Sequence, residues 1–197
     1  MTPFWSAPLP DRLSCSASGI IANLLQLQRH IGSYSKPQRQ LQIPALLATV
    51  DQQHFFRCDD QVWRALQFIT DSESHEQISH PQQAAQIGFA LGHFHRLCSA
   101  MDANQLHDTL PGFHITPQYF QQYQTACLDG LRVASSPSLA NCQAFVEQHQ
   151  QQVNLLESAR QQGLLRERII HGDPKLNNFL FRQHTHQIIS LIDLDTV

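Results

Sequence analysis

Lysine is almost missing from this sequence: only Lys36 and Lys175 occur among thirteen lysines and arginines. With a formal net charge of −3, the chain has no cationic surplus for holding nucleic acid or an anionic membrane, and neither is expected as a partner. Cys15, Cys58, Cys98, Cys127 and Cys142 are scattered, odd in number and without a C-x-x-C pair. That excludes a disulfide framework and a thiolate zinc site as first expectations, and it favours a reducing, cytoplasmic setting. The eight glycines never cluster as G-x-G. No apolar run is long enough to span a bilayer. The opening "MTPFWSAPLPDRLSCSASG", with its prolines and no continuous apolar stretch, reads neither as a signal peptide nor as a membrane anchor.

What is present suits a globular chain. Its 197 residues, 42% of them hydrophobic, can form one domain or two small lobes. Residues 1–17 read as irregular, and the next segment as a helix from Ser18 to Ile31 ending near Gly32. Three short segments, "ALLATV", "HFFRC" and "VWRALQFI", are separated by Asp/Gln turns and suggest an antiparallel meander. Beyond Thr70 helices take over. One starts with a capping box from Ser79 to Gln82 and Pro81 in its first turn. It carries Gly88 and Gly92, each costing about 1 kcal/mol relative to Ala, which predicts a close packing contact there. A second helix has Thr116 as its cap and Pro117 at its first position. A third runs over 138–163, with a core-packing stripe of Leu139, Cys142, Val146, His149, Val153 and Leu156 and a stop at Gly163. The chain closes with a strand "RII", the loop "HGDPKLNN", and a hairpin "FLF…IISLIDLDTV" with Asp193 near the end of its last strand.

The loop at 171–178 carries the chemistry. Asp173 and Asn178 have the spacing H-x-D-x-x-x-x-N of a kinase catalytic loop, and Asp193, after a hairpin, stands where a metal-binding aspartate would. Transfer of a phosphoryl group from ATP builds negative charge that Mg²⁺ offsets, and Mg²⁺ prefers hard oxygen ligands. A carboxylate (Asp193) and an amide oxygen (Asn178) supply two. Asp173 can accept a hydrogen bond from an attacking hydroxyl, a contribution of about 10²–10⁴-fold. Lys175 can steady the transferred group as a point charge. His171 reads as a structural residue of the loop. His93-x-His95 and His184-x-His186 lack a third ligand and are not read as zinc sites. Trp63 and Phe68 read as core rather than as adenine contacts.

"IIHGDPKLNNFLF…IISLIDLDTV" resembles the aminoglycoside phosphotransferase/choline kinase superfamily. "VWRALQFI", "TLPGFHITPQYF" and "LIDLDTV" are similar to segments of its N-acetylhexosamine 1-kinase-like sugar kinases, and the likeness runs from about Ile20 to Val197. The resemblance implies an α+β, protein-kinase-like fold: residues 1–70 as a partial N-lobe of a helix and a small sheet, and residues 71–197 as a partial helical C-lobe. It implies ATP and Mg²⁺ as cofactors and a small hydroxylated acceptor, a sugar or amino sugar. By position, Asp173 is the catalytic base, Asn178 and Asp193 bind the metal–nucleotide, and Asp195 is an additional acidic residue at the metal.

Two parts of that pattern are not found. No glycine-rich loop precedes a strand lysine: Lys36 sits before a proline, in a loop, and the helix at 18–31 has no acidic residue to pair with one. The chain also stops two residues past Asp195, so the strand "IISLIDL" is expected to risk an exposed apolar face. Losing a single preorganised contact costs about 10²–10³-fold, so little turnover is expected from this chain alone. Because the loop itself is intact, a fragment of a working kinase is the favoured expectation, with a non-catalytic, pseudokinase-like binding domain as the alternative.

Overall fold

The computed structural model describes residues 4–8, 17–34, 40–59, 61–128 and 136–197. Cys15 and Lys36 lie outside the described residues. Contacts divide the chain into two compact units, Met1–Leu110 with Arg168–Val197, and Pro111–Glu167.

The first unit is built on one apolar helix face. Helix α1 (Ala17–Gly32) buries Ile20, Ile21, Leu24, Leu27 and Ile31, spaced at three and four residues. The helix forms over the expected range. Its face packs into one cluster with Leu41, Leu46 and Val62, with Phe94 and Leu97, and with Phe179, Phe181 and Leu191. Asn23 sits among these apolar residues because both ends of its amide are used. Nδ2 donates to the carbonyls of His107 (2.9 Å) and Val197 (3.0 Å), and Oδ1 accepts from the His107 amide.

The first sheet centres on β4 (Gln61–Gln67), in which Val62 and Arg64 are buried. Strand β1 (Phe4–Pro8) pairs antiparallel along one edge, from Phe4↔Gln67 to Pro8↔Trp63. This segment was expected to be irregular. Its proline falls at the last residue of an edge strand, where the missing N–H is tolerated. The other edge holds both β2 (Leu46–Leu47), opposite Leu66 and Ala65, and β3 (Phe56–Cys58), opposite Trp63 to Gln61. The pairing is antiparallel as expected, but the order is not a simple meander. Strand β4 has seven residues against two and three for its partners, so both fit along one edge.

The second sheet has the order β5-β6-β7, with β5 Ser72–Glu73, β6 Phe179–Arg182 and β7 Ile188–Leu191. The β6–β7 hairpin is the expected one; β5 was not foreseen, and residues 168–170, expected as a strand, carry no regular structure. Strand β7 does not expose an apolar face: all four of its residues are buried. Gln42 lies along its outer edge, donating to the Ile189 carbonyl (2.8 Å) and accepting from Ser190 Oγ (2.8 Å), and Gln86 accepts from the Ile188 amide (3.2 Å).

Gln86 belongs to helix α2 (Pro81–Cys98). Its cap is shifted by one residue from the expected Ser79: His80 Nδ1 accepts from the Gln82 amide, and buried Gln83 Oε1 accepts from the amides of Ser79 and His80. Gly88 and Gly92 do not mark a close contact. Both are exposed, and a Cβ on either would meet nothing within 4 Å.

The second unit contains α3 (Thr116–Leu128), α4 (Pro137–His149) and α5 (Leu155–Gln161). The single long helix expected over 138–163 is broken by a 3-10 turn at Gln150–Gln152, and Gly163, at φ +71°, ends it as expected. None of the three helices buries a described residue completely, so the 139–156 stripe is not core; Leu156 is 62% exposed. A unit this small has too much surface for its volume to enclose a stripe of that length. No helix among the described residues is long and apolar enough to cross a membrane.

Candidate active site

The loop between residue 170 and β6 is held by its own histidine. His171 is fully buried; its Nε2 meets the Ile192 carbonyl at 2.9 Å and its Nδ1 accepts the Asp173 amide at 3.3 Å. These partners place the proton on Nε2 and leave the imidazole no opening toward a substrate, in keeping with a structural role. Gly172 follows at φ +83°, and a Cβ there would lie 2.5 Å from the Thr196 carbonyl oxygen. Only glycine permits both that backbone angle and that approach. Thr196 Oγ1 donates to the His171 carbonyl, tying the loop to the segment after β7. A 3-10 turn, Leu176–Asn178, then leads into β6.

This scaffold brings four of the expected residues together. Lys175 Nζ lies 2.9 Å from Asp173 Oδ2 and 3.7 Å from Asp193 Oδ2. Asn178 Nδ2 donates to the Asp173 carbonyl at 2.9 Å and lies 3.4 Å from Asp193 Oδ2. Asp193 adopts φ +63°, a left-handed conformation that aspartate tolerates better than most residues, two positions beyond β7. Its amide-side neighbour Ile192 donates to the Asn178 carbonyl at 2.9 Å, which locks the two segments in register. The Asp173 hydrogen bond, with the charges of Asp173 and Asp193 added, raises the Lys175 ammonium above its ordinary value against the opposing loss of hydration.

Asp195 is placed differently. Both its oxygens meet Arg64 of β4, Oδ1 to Nη1 at 2.5 Å and Oδ2 to Nη2 at 2.8 Å, and the two residues are only 5% and 8% exposed. Its carbonyl accepts from Thr109 Oγ1 at 2.8 Å. Asp195 thus has both carboxylate oxygens engaged by a buried arginine, while it lines the same cavity as Asn178 and Asp193. Nothing in the sequence alone pointed to Arg64, which lies 131 residues away.

Asn178, Asp193, Asp195 and Arg64 line a cavity of about 530 Å³, whose apolar part comes from Pro44, Leu66, Phe68, Ile69, Leu180 and Ile192. Phe68, expected as core, is half exposed and forms part of this wall. Trp63 instead lines a separate cavity of about 170 Å³ with His54 and Phe55. A largely apolar cavity with a few charged and polar side chains in its wall has the make-up of a small-molecule site.

The donor set fits Mg²⁺ shared with a polyphosphate. The Asn178 amide nitrogen donates to the Asp173 carbonyl, which leaves its amide oxygen as the atom able to bind a metal, and the Asp193 carboxylate lies against the same side chain. Two hard protein oxygens, with the remainder from phosphate and water, are how this ion is commonly held. Among the described residues no group of three or more His, Cys, Asp or Glu side chains could hold a metal alone.

The model of the phosphotransferase enzyme family matches residues 22–197. The chain belongs to that family. Similar solved structures include an aminoglycoside phosphotransferase from Alicyclobacillus acidocaldarius, 15% identical, with a TM-score of 0.59 over 98% of this chain and 56% of that one. A spectinomycin phosphotransferase in complex with ADP and spectinomycin is 16% identical, with a TM-score of 0.51 over 90% of this chain and 53% of that one. The expected mixed, kinase-like fold is thus the fold found, and this family member spans little more than half the length of the structures it matches.

Proposed function

We propose that this chain carries the nucleotide and metal site of an ATP- and Mg²⁺-dependent phosphotransferase acting on a small hydroxylated molecule. The observation that carries it is the gathering of Asp173, Lys175, Asn178 and Asp193 within hydrogen-bonding or ion-pair range. Two of the four line the largely apolar cavity. A lobe boundary near residue 70, which we propose with this function, would divide the cavity lining: Pro44, Arg64 and Leu66 to Ile69 precede that position, and Ser72, Asn178 and Asp193 follow it.

In this assignment Asn178 and Asp193 hold Mg²⁺, which when bound neutralises the phosphate tail of ATP. Asp173 accepts the hydrogen bond of the acceptor hydroxyl and takes its proton as the new O–P bond forms and the bond to the ADP oxygen breaks. Lys175, held by Asp173 and half exposed, neutralises charge on the passing phosphoryl group. Asp195 is assigned to Arg64 rather than to the metal. For the acceptor we propose a sugar or amino sugar. The likeness of "VWRALQFI" and "LIDLDTV" to N-acetylhexosamine 1-kinase-like enzymes supports this, and one similar structure is a complex with ADP and spectinomycin.

The test is calorimetric titration with ATP, with and without Mg²⁺, followed by incubation with N-acetylhexosamines and analysis for phosphorylated sugar. Mg²⁺-dependent ATP binding with sugar phosphate formed supports the whole proposal. Binding without any product favours the nucleotide-holding, non-catalytic alternative, and no binding at all rejects both.

A further inference from the structure

Resting on that function, we propose that Arg64 is a positioning residue for the metal end of the cleft, acting on Asp193 through its buried ion pair with Asp195. The pair is costly to build. Two charges taken out of water lose hydration that their attraction only offsets when the geometry is good, and an apolar pair of similar volume is often as stable or more so. Here the geometry is the two-pronged guanidinium–carboxylate arrangement, at 2.5 and 2.8 Å, with both partners less than a tenth exposed. A lysine cannot reproduce that fork. The position of the pair suggests what the arrangement is for.

Asp193 stands in a left-handed backbone conformation, which neighbouring contacts must maintain. Before it, Ile192 is fixed by its amide to Asn178 and by its carbonyl to His171. After it, Leu194 is buried in the core, and the first polar side-chain anchor is Asp195 on Arg64, followed by Thr196 on the His171 carbonyl and the Val197 carbonyl on Asn23. Arg64 therefore ties the far side of the Asp193 turn to the central strand of the first sheet. Among the described residues it is also the one lysine or arginine in the cavity lining, to which Glu73, Asp193 and Asp195 contribute as well. By holding Asp195 it removes one carboxylate from competition for the ion and leaves Asp193 as the aspartate presented to it. Residues that orient a metal ligand from behind typically matter about 10–100-fold in metal affinity.

The test compares wild type with the apolar double variant Arg64→Met/Asp195→Leu and with Arg64→Lys. The measurement is ATP affinity by calorimetry in Mg²⁺ and in EDTA, with circular dichroism and Tm as the check on folding. For the double variant we expect a folded protein whose ATP affinity in EDTA stays within about twofold of wild type. Its Mg²⁺-dependent gain in affinity should fall by about tenfold or more. Arg64→Lys, which keeps the charge and loses the fork, should show a smaller fall in the same direction; if the double variant does not fold, this variant decides by the same ratio. An unchanged Mg²⁺-dependent gain overturns the proposal and leaves the pair a packing feature. Equal losses in Mg²⁺ and in EDTA overturn it too, because Arg64 then touches the nucleotide directly. Absence of any Mg²⁺ effect in wild type rejects the parent function and the proposal with it, and is recognisable because the failure appears before any substitution.

Discussion

At the scale of single residues, Asp173 and Asn178 differ in what their loss should do. Asp173→Asn removes the proton acceptor but keeps size and hydrogen-bonding capacity. In protein that shows transfer, the rate should drop by about 10²–10⁴-fold with ATP affinity unchanged, measured by product formation and calorimetry side by side. An equal drop in affinity would instead place Asp173 on the nucleotide. Cys98 makes a second point at this scale. Burial pushes its thiol up to about 12 from an ordinary 9.0. Unfolded chains release this proton as pH passes about 8.5 to 9, while the folded protein keeps it, so the contribution to stability falls steadily from there toward pH 12. Denaturant titrations at pH 8 and pH 10.5 should show a lower midpoint at the higher pH, with a smaller difference in Cys98→Ala. At neutral pH a thiol reagent should modify exposed Cys58, Cys127 and Cys142 in the native protein and reach Cys98 only after unfolding.

At the scale of elements, the stability of the first unit rests on the inner face of α1. Leu27 is fully buried there, and Leu27→Ala should cost about 2–5 kcal/mol. Asn23→Ala removes partners from His107 and Val197 and should cost about 1–3 kcal/mol. Both are measured by chemical denaturation, and a neutral Asn23→Ala would mean that the amide tie to the chain end contributes nothing. Elements were legible in the sequence where their signals are local. The three-four spacing of α1, the proline at the start of α2, the glycine after α5 and the hairpin after the catalytic loop all depend on neighbours within a few residues. Strand β1 was illegible because its proline, Pro8, suits the end of an edge strand as well as a loop, and only pairing with β4 distinguishes the two. The capping residue of α2 moved by one because a histidine nitrogen can serve as acceptor where a serine was expected. The same division holds in the site. Asp173, Lys175, Asn178 and Asp193 lie within 21 positions of one another, whereas the Arg64–Asp195 pair joins a strand to a turn far away in sequence, and no periodicity announces it.

At the scale of the whole molecule, the two units differ in how they are held. The first has a continuous apolar core fixed by long-range hydrogen bonds. The second keeps Leu128, Phe145, Leu155, Leu156 and Leu164 largely exposed, and its helices bury no described residue fully. Few buried contacts mean low local opening energies. Hydrogen exchange should therefore be fastest in α3, α4 and α5 and slowest in α1, α2 and β7, and equal protection in both would contradict that division. The site lies entirely in the better-held unit, so nucleotide binding can be examined even if the second unit opens readily. The most direct measurement is ATP affinity in Mg²⁺ for wild type and for Asp193→Asn, with folding checked by Tm. If Asp193 and Asn178 share one divalent ion with the nucleotide, wild type binds ATP more tightly with Mg²⁺ than without, and Asp193→Asn loses that gain while remaining folded. Equal affinity in the two proteins, or no effect of Mg²⁺ on wild type, would contradict the assignment of this cleft.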